Sequence, residues 1–199
     1  MHSCLGTSNT NNIAPWDHGA DTDKENTGLI IVDIQGKLAR LVSDSNELVS
    51  NCIKLIKGAQ LLGLPIVWLE QNPDKLGQTI EELRVLLGNQ QPISKFSFDA
   101  CGEPRFIETI QKSNKTSWLI CGIEAHICVY QTAIHLKNLG YNIHLVSDCV
   151  SSRDASNKEI AITKLAGAGV EITGLEMSLY ELVKDCRAPE FKEILNLIK

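Results

Sequence analysis

The chain has 199 residues, 43% of them hydrophobic and 22% charged, with a formal net charge of −5 at pH 7. Such a chain is most simply one globular domain, large enough to bury roughly 70% of its unfolded surface. The acidic balance argues against a general nucleic-acid or anionic-membrane surface, and no apolar run approaches the roughly 18 residues needed to span a bilayer.

Residues 1–26 are rich in Asn, Asp, Thr and Gly and read as a flexible extension. They lack the apolar core of a signal peptide and the Arg-rich pattern of a transit peptide. Trp16 is the one residue there with reason to pack onto the body. The domain proper is expected over 27–199. Its first element is Gly28-Leu29-Ile30-Ile31-Val32-Asp33, a continuous branched apolar run of the kind found in parallel strands covered on both faces. Asp44, Ser45 and Asn46 offer helix caps, Leu48, Cys52, Ile53, Ile56 and Ala59 follow at helical spacing, and Gly63 is the stop. Pro65 to Leu69 reads as the next strand, with proline tolerated at its first position.

A loop and a short helix near Ile80 to Leu87 come next, then a brief extended piece from Pro92 that delivers Lys95. Glu103 to Lys112 reads as helix. Ser117 to Ile123 is an apolar strand that ends in a tight turn opened by Gly122, followed by a helix whose first turn holds Cys128. Val129, Thr132, Ala133, Leu136 and Leu139 mark the buried face of that helix. Asn142 to Val146 is a further strand with Ser147 to Arg153 as its loop. A helix from about Ser156 to Ala166, a strand from Val170 to Thr173, a helix opened by the capping-box spacing of Thr173 and Glu176, and a terminal helix from Pro189 to Ile198 complete the chain. This alternation predicts a parallel sheet with helices on both faces.

Ligands of open parallel sheets bind outside the carboxyl ends of the strands. Asp33, Lys95 and Cys128 all fall at such ends, and their chemistry is complementary. A carboxylate can take the thiol proton, and a nearby ammonium and the start of a helix favour the thiolate. Backbone N–H groups between Gly122 and Cys128 can hold an oxyanion. Each residue also has a plainer reading: Cys128 as a buried small hydrophobe, Asp33 as a turn cap, Lys95 as a solvated surface lysine. His126 is two positions from Cys128 on the helix and faces elsewhere, which argues against it as the base. Asp148 and Arg153 either line the pocket or pair with each other, and Cys121 and Cys149 belong to the sheet. The seven cysteines contain no Cys-x-x-Cys pair, which fits a reducing cytoplasm better than a disulfide framework or zinc knuckle.

With these residues in view, the chain resembles the isochorismatase-like cysteine hydrolases over Thr27 to Lys199. The resemblance rests on Val32-Asp33-Ile34-Gln35, Ser94-Lys95-Phe96-Ser97 and Cys121-Gly122-Ile123-Glu124-Ala125-His126-Ile127-Cys128-Val129. Glu70-Gln71-Asn72-Pro73 with Leu76-Gly77, Ser147 to Arg153, and Phe191-Lys192-Glu193-Ile194 are similar to the branch of isochorismatase domain-containing proteins. It implies a three-layer α/β sandwich with a mainly parallel six-stranded sheet ordered 3-2-1-4-5-6, and a catalytic triad of Asp33, Lys95 and Cys128. It further implies a cis peptide between Ile123 and Glu124 that turns the N–H groups of Glu124 and Cys128 toward an oxyanion. Gln35, Gln71 and Phe96 stand in the same motifs as candidates to line the substrate pocket.

Nicotinamidases of this superfamily carry an Asp-x-His metal motif after the second strand, where Glu70-Gln71-Asn72 stands here. No metal and no cofactor are therefore expected. The resemblance implies a small-molecule substrate, no nucleic-acid or membrane partner, and a homo-oligomer, a dimer or tetramer. True isochorismatases do not need the cysteine, so Cys128 favours hydrolysis of a small amide, ureide or related acyl compound through a thioester. Two alternatives remain at this stage: hydrolysis of an enol ether with Asp33 as the acid, and a binding or redox-sensing protein without turnover.

Overall fold

The computed structural model describes residues 23–88 and 90–199; the position of Trp16 lies outside them. Thr27–Val32 forms β1, every residue of it buried. Leu38–Leu41 (α1) and Ser45–Leu61 (α2) lead to Ile66–Gln71 (β2), Pro73–Leu76 (α3), Glu81–Leu87 (α4) and the short strand Ile93–Lys95 (β3). Pro104–Lys112 (α5) precedes Ser117–Ile123 (β4), and Tyr130–Asn138 (α6) precedes Asn142–Ser151 (β5). Ala155–Gly167 (α7), Glu171–Thr173 (β6), Leu175–Val183 (α8) and Phe191–Ile198 (α9) close the chain.

The six strands form one sheet in the order β3-β2-β1-β4-β5-β6, and each neighbouring pair is parallel. Side chains alternate between its faces with the two-residue period of a strand. Leu29 and Ile31 join Cys52, Leu55, Leu179 and Ile194 under α2, α8 and α9. Ile30 and Val32 join Phe106, Ala133 and Leu165 under α5, α6 and α7. Each fully buried Leu or Ile contributes about 1.5–3 kcal/mol relative to exposure, so the two layers hold the sheet between them. Among the described residues, no helix is long and apolar enough to cross a membrane.

Sheet order fixes where a ligand can bind. The chain builds outward from β1 to β2 and β3, then returns to place β4 on the other side of β1. The loops after β1 and β4 therefore diverge, and the crevice between them is the topological switch point. At its floor, Val32 pairs with Gly122. A Cβ on Gly122 would lie 2.1 Å from the Val32 carbonyl oxygen, and its φ of +136° suits glycine alone.

Four local expectations are corrected. β5 does not stop at Val146 but runs to Ser151, because it bulges: Ile120 pairs with Leu145, whereas Gly122, two residues on, pairs with Val150. The expected loop is an excursion within the strand. The capping box at Thr173 does not form; the first N–H of α8, at Leu175, is accepted by Asp148 Oδ1 at 2.8 Å. Cys128 lies in a π-helical turn, Ala125–Val129, ahead of α6. Finally, the Ile123–Glu124 peptide is trans, as are all peptide bonds of the described residues. The positive φ of Gly122 and the register shift beside it make the turn, so the cost of a non-proline cis bond is not incurred.

Candidate active site

Asp33 is the first residue beyond β1 and adopts a left-handed conformation, φ +53°. Its N–H still donates to Leu69 O at 3.3 Å, so the strand is held up to the point where the chain turns and presents the carboxylate. Lys95 ends β3, where its carbonyl accepts from Asn72 N at 2.9 Å. β3 lies two strands from β1, roughly 10 Å at the usual strand spacing, and a lysine side chain is long enough to cross under β2. It does so: Lys95 Nζ donates to Asp33 Oδ2 at 2.8 Å, with the lysine fully buried and Asp33 3% exposed.

The ammonium is saturated by further oxygens. It donates to Gln71 Oε1 at 2.6 Å, Ser97 O at 3.3 Å and Phe98 O at 3.4 Å. A buried cation needs such a shell, since desolvation of an unpaired ammonium costs several kcal/mol. Cys128 approaches from the other side of the crevice, and its thiol interacts with both Asp33 and Lys95. Asp33 Oδ1 is buried without a well-formed hydrogen bond, which leaves that oxygen able to accept one.

Burial, which disfavours the anion, acts first on the protonation of this group. The Cys128 thiol is pushed up to about 12 by desolvation and by the Asp33 carboxylate, against the pull of Lys95. Desolvation likewise raises the Asp33 carboxyl above its ordinary value, and Lys95 opposes that rise. The expectation of a resting thiolate is thereby corrected. Burial favours the protonated sulfur, next to a carboxylate whose basicity burial raises. Cys128 is the most exposed of the three at 7%, which leaves the sulfur within reach of a reactant.

The turn that carries Cys128 is fastened by its own acid. Glu124, 6% exposed, accepts from Arg153 Nε at 2.8 Å and Arg153 N at 3.3 Å, and its Oε2 lies 3.5 Å from His126 Nδ1. His126 Nδ1 also faces Ser152 Oγ at 2.9 Å. His126 thus ties the turn to the end of β5, in keeping with its rejection as the base. Arg153 pairs with Glu124 rather than with Asp148, which caps α8.

The pocket candidates divide. Gln35 is fully buried and reciprocally clamps Gln71: Gln35 Nε2 donates to Gln71 O at 3.1 Å, and Gln35 Oε1 accepts from Gln71 N at 2.6 Å. It shapes the site from beneath. Gln71 both holds Lys95 and donates to Phe96 O at 2.6 Å, so it fixes the ammonium and the following loop together. The Phe96 ring is 73% exposed at the rim. Glu70, at the place of the metal motif in nicotinamidases, spends Oε1 on Thr79 N at 2.7 Å and Thr79 Oγ1 at 2.8 Å. The supporting role of Gln71 toward the lysine was not read from the sequence; its position at the end of β2, between the strands that bear the ion pair, was the available signal.

Comparison with known proteins places the chain in a family. The family model for the isochorismatase domain matches residues 27–177. The chain is 33% identical over 176 residues to the secreted isochorismatase effector Isc1 of Phytophthora sojae, covering 86% of this chain and 83% of that protein. It is 33% identical over 182 residues to isochorismatase domain-containing protein 2A of Mus musculus, covering 88% and 84%. The solved structure of the MAR1 ribonuclease from Caenorhabditis elegans superimposes with a TM-score of 0.83 at 33% identity, covering 88% and 91%. The chain belongs to the isochorismatase family of hydrolases, on the branch of isochorismatase domain-containing proteins.

Proposed function

We propose that this protein hydrolyses a small amide, ureide or related acyl compound through a thioester on Cys128, without a metal in the reacting group. The observation that carries the proposal is the convergence of Cys128, Asp33 and Lys95 in the crevice between β1 and β4. Asp33, made basic by burial, takes the thiol proton as the sulfur attacks the carbonyl carbon. Lys95 keeps the carboxylate in place and offsets the negative charge that develops. Backbone N–H groups of the turn between Gly122 and Cys128 hold the tetrahedral oxyanion, with the Glu124–Arg153 pair steadying that turn. Asp33 then gives its proton to the leaving nitrogen, and takes one from the water that cleaves the thioester.

The experiment is intact-mass analysis after exposure to a metabolite extract and a panel of small amides and ureides. An acyl adduct on the wild type that is absent from Cys128→Ala supports the proposal; turnover retained by that variant would sink it. A second reading has its own observation. The raised Asp33 carboxyl also suits a general acid acting on an enol ether, and that reaction predicts turnover with no adduct on the sulfur. The worm relative is described as a ribonuclease, but a net charge of −5 gives this chain little to attract a phosphate backbone. Among the described residues the six cysteines are free thiols, which supports a reducing compartment and a cytoplasmic location. Phe96 and Phe98, 73% and 56% exposed at the rim, are apolar surface that a homo-oligomer would cover.

A further inference from the structure

Asp99, Cys101 and His135 stand outside the group just described, and among the described residues they form the one cluster of possible metal ligands. One ligand atom from each lies within 4.8 Å of the others. His135 is far from the other two in sequence but firmly joined to them. The loop bearing Asp99 and Cys101 is pinned to α6 by Ala100 N, which donates to Thr132 Oγ1 at 3.0 Å. Thr132 and His135 lie three residues apart on one face of α6, so the same face that holds the loop also presents the imidazole. Asp99 Oδ2 meets His135 Nδ1 at 2.7 Å, and Asp99 Oδ1 accepts from Cys101 N at 2.9 Å.

We infer that Asp99, Cys101 and His135 form a binding site for a zinc-like divalent transition-metal ion, with a fourth position open to water. The donor chemistry selects the ion. A thiolate, an imidazole and a carboxylate suit zinc, cobalt or nickel, whereas magnesium and calcium take all-oxygen sets. Three protein ligands with a water is the usual arrangement at accessible zinc sites, and the side chains of His135 and Asp99 are 46% and 26% exposed. A tetrahedral ion bonded to oxygen and nitrogen at about 2.0–2.1 Å separates them by about 3.3 Å, so the Asp99–His135 pair needs to part only slightly. The ion takes the place of the proton between them and of the proton on the Cys101 sulfur. Its position gives it a consequence: Ser97 O and Phe98 O, immediately before Asp99, are two of the oxygens around Lys95. A bound ion clamps that loop from the side remote from the reaction.

The test uses the full chain, stripped with a chelator, and titrated with Zn²⁺ by calorimetry and with Co²⁺ by absorption. The wild type should bind one equivalent and show the thiolate-to-cobalt charge-transfer band. Cys101→Ser should abolish the band, and His135→Gln should weaken binding by more than the roughly 10–100-fold that loss of an outer-sphere partner costs. Cys128→Ala and Cys186→Ser should keep both signals, which separates this site from the nucleophile and from the exposed thiol. With Zn²⁺, amide exchange across residues 96–101 should slow in the wild type and not in His135→Gln. Absence of stoichiometric binding, or a cobalt band that survives Cys101→Ser in a variant of unchanged circular dichroism, would overturn the inference.

Discussion

Lys95 Nζ lies 2.8 Å from Asp33 Oδ2, and the two side chains are 0% and 4% exposed. An ion pair withdrawn this far from water has lost most of its hydration, so each charge depends on the other. Lys95→Met leaves Asp33 buried without its cation and should cost about 3–5 kcal/mol in urea unfolding. The double variant Asp33→Asn/Lys95→Met, which removes both charges, should recover a large part of that loss while remaining inactive. A double variant no more stable than Lys95→Met alone would mean that the lysine contributes through its contacts to Gln71, Ser97 and Phe98 rather than through its pairing with Asp33.

The negative charge of Asp33 helps to keep the Cys128 thiol up at about 12. Asp33→Asn removes that charge and leaves Lys95 in place, so the thiol should ionise at lower pH than in the wild type. Its alkylation by iodoacetamide, followed by peptide mapping, should accelerate near neutral pH even though turnover is lost. In the wild type, the raised carboxyl acts as a base only once it has lost its proton. The acid limb of kcat/KM should therefore lie above the ordinary carboxylate range. Slower alkylation in Asp33→Asn would show that the carboxylate activates the sulfur even toward iodoacetamide.

Gly122 and Gly63 both have positive φ, +136° and +69°, but only one is confined. A methyl group on Gly122 would stand 2.1 Å from the Val32 carbonyl oxygen, whereas nothing lies within 4 Å of the same position on Gly63. Gly63→Ala should cost about 1–2 kcal/mol, the left-handed penalty alone. Gly122→Ala must in addition force β1 and β4 apart beneath the crevice. It should be several kcal/mol less stable by thermal unfolding and should bind no acyl adduct at Cys128.

The architecture was legible because β1 and β4 are continuous apolar runs, and because helical spacing resumes after each strand. Asp33, Lys95 and Cys128 were picked out by their places at the ends of predicted strands; the sheet order, and their grouping as a triad, came from motif resemblance. The remaining features depend on distant pairing. The bulge in β5 arises from its register against β4, which a run such as Ser147-Asp148-Cys149 does not encode locally. The cap on α8 comes from another strand, so the Thr173–Glu176 spacing suggested a local box that is not used. Thiol protonation depends on burial and on the Asp33 carboxylate, which the adjacent helix pattern does not reveal. Asp99, Cys101 and His135 are joined only by the docking of the Lys95 loop on α6.

Asp148 gives a direct test of that distant cap. It sits in the β5 excursion, its Oδ1 accepts the Leu175 N–H at 2.8 Å, and Gly174 at the start of α8 has no side chain to do so. A carboxylate there also faces the positive end of the helix. Asp148→Ala should lose about 0.5–2 kcal/mol, in the range of other lost caps. Asp148→Asn should lose less, because its amide oxygen still accepts, and the difference between the two reports the charge. Thr173→Ala should be close to neutral on the same melting curves, since its hydroxyl is directed at Gly174 O at 3.5 Å rather than at the helix. The opposite ranking, with Thr173→Ala the more damaging of the two alanine variants, would restore the local box and remove Asp148 as the residue that joins β5 to α8.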